Sequence, residues 1–290
     1  MNIALDCIPC IINNYIKLIQ NGSFSEEIKE ENLRRFLAFI SKADYKQSPP
    51  VLGREIHRMI RKMLKNNDPY SDIKQKYNRM ILKMYSEFEN MIKKSCDPFD
   101  TALKLAIAGN VIDFGCQHQL GIMNTVQKVL NADIKNKIVT KLKNDLRRAG
   151  QILYIGDNCG EIVFDKLFIQ TINHPDIYFA VRGGAVINDV TKADAEIVGM
   201  DEYARIITTG DDSPGAVWET CSGEFQTLFK QSDVVIAKGQ GNLEGLIDVK
   251  HNIYFLFVVK CNLIASRVGA NIGEFIIKNS SVIHNNTKGK

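Results

Sequence analysis

Residues 152–161 read Ile-Leu-Tyr-Ile-Gly-Asp-Asn-Cys-Gly-Glu. An apolar, β-rich run stops at Asp157 and Asn158. After a glycine, an acidic residue opens an amphipathic segment, Ile162 to Thr171. That pattern predicts a buried strand followed by a helix. It delivers a carboxylate and an amide to the C-terminal end of a strand, and in open α/β sheets ligands bind outside those ends. Both side chains offer oxygen atoms that suit a hard divalent cation.

The same grammar continues downstream. Short apolar blocks recur at Ile177–Val181, Arg205–Thr208, Val234–Ala237, Ile253–Val259 and Val282–Ile283, with helical stretches between most of them. They are continuously apolar rather than alternating, as strands buried on both faces are. Strands alternating with helices predict a doubly wound, mostly parallel, Rossmann-like sheet over residues 150–290. Residues 1–149 are written in helix periods instead, and predict a helical N-terminal domain. Ser25 caps a helix with Glu26 and Glu27 in its first turn. Further helices are expected over Val51–Lys65, Tyr70–Lys94, Thr101–Phe114, Ile122–Leu130 and Ile134–Arg148. Asp68-Pro69 and Asp97-Pro98 mark breaks between them.

Composition narrows the function classes. The chain has 290 residues and a net charge of +4, with charges of both signs well mixed. That balance does not argue for a nucleic-acid partner, yet it would not repel a phosphorylated substrate. No apolar stretch approaches membrane-spanning length. No basic segment followed by an apolar run marks a signal peptide. Seven scattered cysteines, an odd number, fit a reducing cytoplasm better than a disulfide framework.

Polar clusters sit where the predicted strands end: Asp157-Asn158, Arg182 to Asn188-Asp189, Thr208 to Gly215, Lys238-Gly239-Gln240-Gly241-Asn242-Leu243-Glu244, and Lys260-Cys261-Asn262. A single aspartate at a strand end is ordinarily a cap or turn former. Five polar clusters on one rim of a parallel sheet argue for a site. Asp157, Asn158 and Asp189 supply hard oxygen ligands for magnesium, manganese, cobalt or nickel. The glycines let backbone amides approach an anion, and Lys238 and Lys260 would neutralise phosphoryl oxygens. A cation and a lysine together suit phosphoryl transfer. The first strand lacks the spaced glycines of a dinucleotide site, and no Walker-type loop is present.

In this order the motifs resemble the damage-control phosphatases, long catalogued as domain of unknown function 89, and most of all their prokaryotic, cysteine-containing branch. The resemblance rests on Cys7-Ile-Pro-Cys10, Ala108 to Gly115, Gly156 to Glu161, Arg182 to Asp189, Lys238 to Glu244 and Lys260-Cys261, and spans nearly the whole chain. It implies a metal-dependent phosphatase acting on small phosphometabolites, such as sugar phosphates or damaged metabolite phosphates. Asp157, Asn158 and Asp189 would bind the metal and Lys260 the substrate phosphate. Arg182, Asn188, Lys238, Gly239, Gly241, Asn242 and Glu244 would line the substrate. Asn110 and Asp113, three apart on one helix face, would roof the crevice. The chain reads Phe257-Val258-Val259-Lys260 where eukaryotic branches carry an Arg-Thr-x-Lys pattern, so their substrate preferences do not transfer.

Two other classes remain open. An S-adenosylmethionine-dependent carboxyl methyltransferase would favour a glycine-rich turn after the first strand, where Asp157 and Asn158 stand instead. A non-enzymatic metal- or ligand-binding protein would use Cys7 and Cys10, whose spacing suits soft metals and redox pairs, with Cys116 and His118 completing a Cys₃His set.

Overall fold

A computed structural model describes residues 1–21, 24–110, 119–132, 134 and 136–287. The chain first lays down α1 (Cys7–Asn21), α2 (Glu26–Ile40), α3 (Pro49–Leu64), α4 (Ser71–Leu82), α5 (Tyr85–Lys94), α6 (Pro98–Gly109), α7 (Gln119–Leu130) and α8 (Asn136–Arg148). Then follow β1 (Ile152–Ile155), α9 (Glu161–Ile172), β2 (Ile177–Val181), α10 (Lys192–Ile197), β3 (Arg205–Thr208), α11 (Gly223–Gln231), β4 (Val234–Lys238), α12 (Gly239–Leu246), β5 (Ile253–Val258), α13 (Asn262–Val268), β6 (Phe275–Asn279) and α14 (Ser280–Thr287). The expected caps are present. Ser25 accepts from the Ile28 amide, and Asp97 accepts from the amides of Phe99 and Asp100, with Pro98 at the first helical position.

The sheet order is β3-β2-β1-β4-β5-β6, parallel except for the last pair. Strand alternation sorts its side chains. Ile152 and Tyr154 of β1 join Val234 and Ile236 of β4 on the face covered by α4–α9. Leu153, Ile155, Val235 and Ala237 point to the opposite face, against Phe225, Phe229 and Leu243. The first cluster is continuous from Ile81 of α4 through Leu146 of α8 to the sheet, so packing does not pause at the change of grammar near residue 149. Helices α1–α3 carry a smaller cluster of their own around Tyr15, Phe36 and Leu52.

Two expectations are corrected. Val282–Ile283 is not a strand but lies in α14; the last strand is Phe275–Asn279, antiparallel to β5. The Asn279 side chain accepts from the Ser281 amide at the strand's end, which turns the chain into a helix there. The segment Tyr70–Lys94 is two helices, broken at Lys83–Met84. The break keeps Met84 buried while Phe88 packs on Phe164 with ring centroids 4.8 Å apart. Among the described residues no helix is long and apolar enough to cross a membrane.

Helix α3 is fastened to the sheet's loops by charge. Arg54 donates to both carboxylate oxygens of Asp211 at 3.1 Å, and Arg58 to Asp212 at 2.6 Å. Arg61 reaches Asp212 and the Ala185 carbonyl. One turn before Arg61, His57 has its pKa pushed down to about 4, first by burial and then by the Arg61 charge. A depressed folded pKa contributes stability that is present above the unfolded value near 6.5 and is lost as pH falls through the folded one. Acidification from pH 6.5 to 4 should therefore remove about 3 kcal/mol through this residue alone. His57→Gln should flatten that limb of a urea-midpoint-versus-pH curve. Parallel curves for the two proteins would refute the assignment.

Candidate active site

The strand order reverses between β1 and β4, and the crevice outside their C-terminal ends is where such sheets bind ligands. Two loops are stitched together there. The Val190 amide donates to the Asp157 carbonyl at 2.9 Å, the Cys159 amide donates to the Asn188 carbonyl at 2.8 Å, and Asn158 and Asp189 pair as an isolated antiparallel bridge. The backbone thus brings Asp157, Asn158 and Asp189 together.

Around them lies a hydrogen-bonded polar cluster. Asp157 Oδ2 accepts from Asn158 Nδ2 at 2.7 Å and from Asn110 Nδ2 at 3.1 Å. Arg182 spans the acids: its Nη2 donates to Asp157 Oδ1 at 3.3 Å and its Nε to Asp189 Oδ2 at 2.6 Å. Its Nη1 donates to Asn242 Oδ1 at 3.1 Å. Burial, followed by the carboxylates of Glu161 and Asp189, pushes the Asp157 pKa up to about 8, against the pull of Arg182 and Lys260. Burial likewise raises Asp189, opposed by Arg182. The cluster is therefore short of positive charge. Two carboxylates and an amide oxygen are the donor chemistry of a hard divalent cation, so the residues fit one.

Glycines set how closely the loops approach. Gly239 has φ +75, and a Cβ there would lie 1.9 Å from Asp157 Oδ2. The turn after β4 thus packs directly on the Asp157 carboxylate. A Cβ on Gly241 would meet the Pro214 carbonyl at 2.3 Å.

Other sequence candidates fall elsewhere. Lys238, expected on the substrate phosphate, is wholly buried and points beneath the rim. It donates to Glu161 at 2.6 Å, Asp165 at 2.5 Å and the Ala106 carbonyl at 2.8 Å. Asn242, expected on substrate, is engaged by Arg182, the Ala216 amide and the carbonyls of Gly156 and Lys238. Glu244 accepts from Gln240 and has its pKa pushed up to about 7, chiefly by burial, with the amino terminus pulling the other way. Asn188 is buried beside Asp189. Lys260 is exposed at the rim, its amide on Gln240 Oε1 at 3.2 Å and its charge felt at Asp157.

Asp113, Cys116 and His118 lie outside the described residues. Cys7 is half-buried and Cys10 exposed. Burial raises the Cys7 pKa, and its electrostatic neighbours are Glu244, Cys261 and Cys10. Among the described residues no group of three or more His, Cys, Asp or Glu side chains is arranged to hold a metal. Cys159 is buried beside Asp194 and Lys74.

Sequence reading missed Glu161. It is 1% exposed, and its Oε2 accepts from Asn110 Nδ2 at 3.1 Å and Asn158 Nδ2 at 3.0 Å. The available signal was its place one helical turn beyond Asp157, at the start of α9. Asn78 and Lys74 were also missed. Asn78 accepts from the Gly160 amide, and Lys74 bridges Asp68 and Asp194, so α4 braces both loops from behind.

Comparison with known proteins places this geometry in context. Residues 3–276 match the damage-control phosphatase ARMT1-like domain. An uncharacterized protein of Methanocaldococcus jannaschii is 34% identical, over 96% of this chain and 95% of its own length. A damage-control phosphatase of Archaeoglobus fulgidus is 31% identical, over 96% and 99%. A crystal structure of a DUF89 family protein from Pyrococcus horikoshii superposes with a TM-score of 0.88 at 30% identity, covering 97% of this chain and 99% of that one.

Proposed function

Because this chain belongs to the damage-control phosphatase ARMT1-like family, we propose that it is a divalent-metal-dependent phosphatase of small phosphorylated metabolites. The observation that carries the metal part is the Asp157–Asn158–Asp189 constellation at the switch point, Asp189 buried and the other two partly so, with both acid pKa values raised. Asp157, Asp189 and the Asn158 carbonyl oxygen would hold the cation, which when bound supplies charge to the phosphoryl oxygens. Arg182 orients the two carboxylates from the side away from Asn110 and Asn158, because it holds Asp157 Oδ1 while those amides hold Oδ2. Lys260, exposed on the rim, would bring its ammonium to a phosphate. A small ester suits this arrangement, since the constellation lies between strand-end loops that are hydrogen-bonded to each other rather than on an open basic face.

The test is a panel of aryl and sugar phosphates assayed with chelator-stripped protein and with magnesium, manganese, cobalt or nickel restored. Hydrolysis should vanish on stripping and return with at least one ion. Turnover that survives stripping sinks the metal requirement. No turnover of any ester with any ion sinks the phosphatase reading.

A further inference from the structure

Glu161 opens α9 with its carboxylate buried. Its two oxygens do different work. Oε1 takes the Lys238 ammonium at 2.6 Å; Oε2 takes amide hydrogens from Asn158 at 3.0 Å and Asn110 at 3.1 Å. Asn158 also donates to Asp157 Oδ2 at 2.7 Å, so its amide nitrogen faces two carboxylates. Rotating that amide by half a turn would set its carbonyl oxygen against both of them. Oxygen facing oxygen at hydrogen-bond distance is repulsive, and it would leave both acceptors with the Asn110 amide alone. Among the described residues no hydrogen bond is donated to the side-chain oxygen of Asn158, Oδ1; its backbone carbonyl takes the Ile162 amide. Oδ1 is the pole of the amide that remains for a cation.

We propose that Glu161 is a positioning residue that fixes the Asn158 amide with its nitrogen inward and its oxygen presented to the metal. The inference rests on the metal-dependent reading above and adds a residue that is not itself a ligand. Lys238 belongs to the same device. Because it must be met by an oxygen, it dictates which atom residue 161 can turn toward the two asparagines. In Glu161→Gln the oxygen stays on Lys238, and the new NH₂ group confronts the NH₂ groups of Asn158 and Asn110. Asn158 then either turns over, aiming its nitrogen at the cation and its oxygen at Asp157 Oδ2, or is pushed aside by the facing NH₂ group; both outcomes weaken the site. In the double variant Glu161→Gln, Lys238→Met the glutamine is released to turn its oxygen toward the asparagines, and the original orientation returns.

The readout is the Mn²⁺ dissociation constant, measured by calorimetry on the full chain, for the wild type, Asp157→Asn, Glu161→Gln and the double variant. Loss of a partner that orients a ligand weakens affinity by about 10–100-fold, and that is the change expected for Glu161→Gln. The double variant should regain most of it, which a general loss of packing would not do. Wild-type affinity in Glu161→Gln, or a folded double variant as weak as the single, overturns the proposal. A wild type that binds no Mn²⁺ overturns it together with the metal reading, whereas binding that is lost in Asp157→Asn and unchanged in Glu161→Gln overturns this proposal alone. A crystal structure of the wild type with Mn²⁺ gives an answer that does not depend on any variant folding. Asn158 oxygen on the ion and nitrogen on Glu161 is the expected arrangement; Glu161 on the ion contradicts it.

Discussion

Asp157→Asn is expected to lower metal-dependent ester hydrolysis by roughly 10³-fold or more, while the metal-free protein melts within a few degrees of the wild type. The fold tolerates the change because burial and the neighbouring Glu161 and Asp189 carboxylates hold the Asp157 pKa at about 8. Asparagine keeps the shape and removes the charge that Glu161 and Asp189 oppose, which offsets the loss of one acceptor to Arg182 or to the Asn110 and Asn158 amides. The difference should emerge when Mn²⁺ is added. A ligand that binds only the native state raises the melting temperature by mass action, so the wild type should shift upward and the variant should not. Gly239→Ala reaches the same carboxylate by steric means. Its methyl would lie 1.9 Å from Asp157 Oδ2 at a residue with φ +75, so the carboxylate or the turn must move. A displacement of about 1 Å at a reacting group is worth roughly 10²-fold. Thermal scans with and without Mn²⁺, alongside kcat/KM, check both variants. Wild-type turnover in Asp157→Asn at matched metal loading would remove Asp157 from the mechanism.

The elements that were legible are those whose signal is local. Continuous apolar blocks marked β1, β2, β3, β4 and β5 to within a residue or so, and the change from helix periods to strand blocks marked the start of the α/β region. The polar stops marked the rim. Val282–Ile283 misled because two β-branched residues carry no period, and the side-chain bond from Asn279 that starts α14 is not visible as composition. Lys238 misled for a different reason. It stands at a strand end, as a phosphate ligand would, but alternation places it on the same face as Val234 and Ile236, under α6 and α9. Period two was the stronger signal. The braces from the helical half were out of reach. Asn110 meets Asp157, Lys74 meets Asp194, and Arg54 meets Asp211 across sequence separations of 47, 120 and 157 residues. No pattern within a single segment encodes such contacts. Their consequence is that the candidate site is held from both sides, by strand-end loops in front and by α3, α4 and α6 behind.

Lys238→Met, made alone, is expected to destabilise the fold by about 3–5 kcal/mol, the effect of removing one partner from a buried ion cluster. The lysine is 0% exposed and faces two carboxylates, Glu161 and Asp165. Burial works against its charge, yet Asp165 and Glu161 outweigh it and raise its pKa. Among the described residues no other cation pairs with Asp165. Tyr154 already donates to Asp165 Oδ1 at 2.7 Å, and Asp165 Oδ2 has no hydrogen-bond partner among the described residues. The pH dependence follows from Asp165. Burial is the leading cause of a pKa pushed up to about 7, against the opposing pull of Lys238. A folded pKa raised above the unfolded value means stability that is present at low pH and lost as pH rises through the folded pKa. Without the ammonium, the carboxyl stays buried only by binding a proton. The Lys238→Met deficit should therefore be smallest near pH 5 and grow toward pH 9. Lys238→Met, Asp165→Asn should recover part of the loss at pH 8, with a coupling energy of about 1 kcal/mol or more in a double-mutant cycle by urea unfolding. Additive single effects, with a deficit that does not change between pH 5 and 9, would show that Lys238 acts through packing and not as the counter-charge to this cluster.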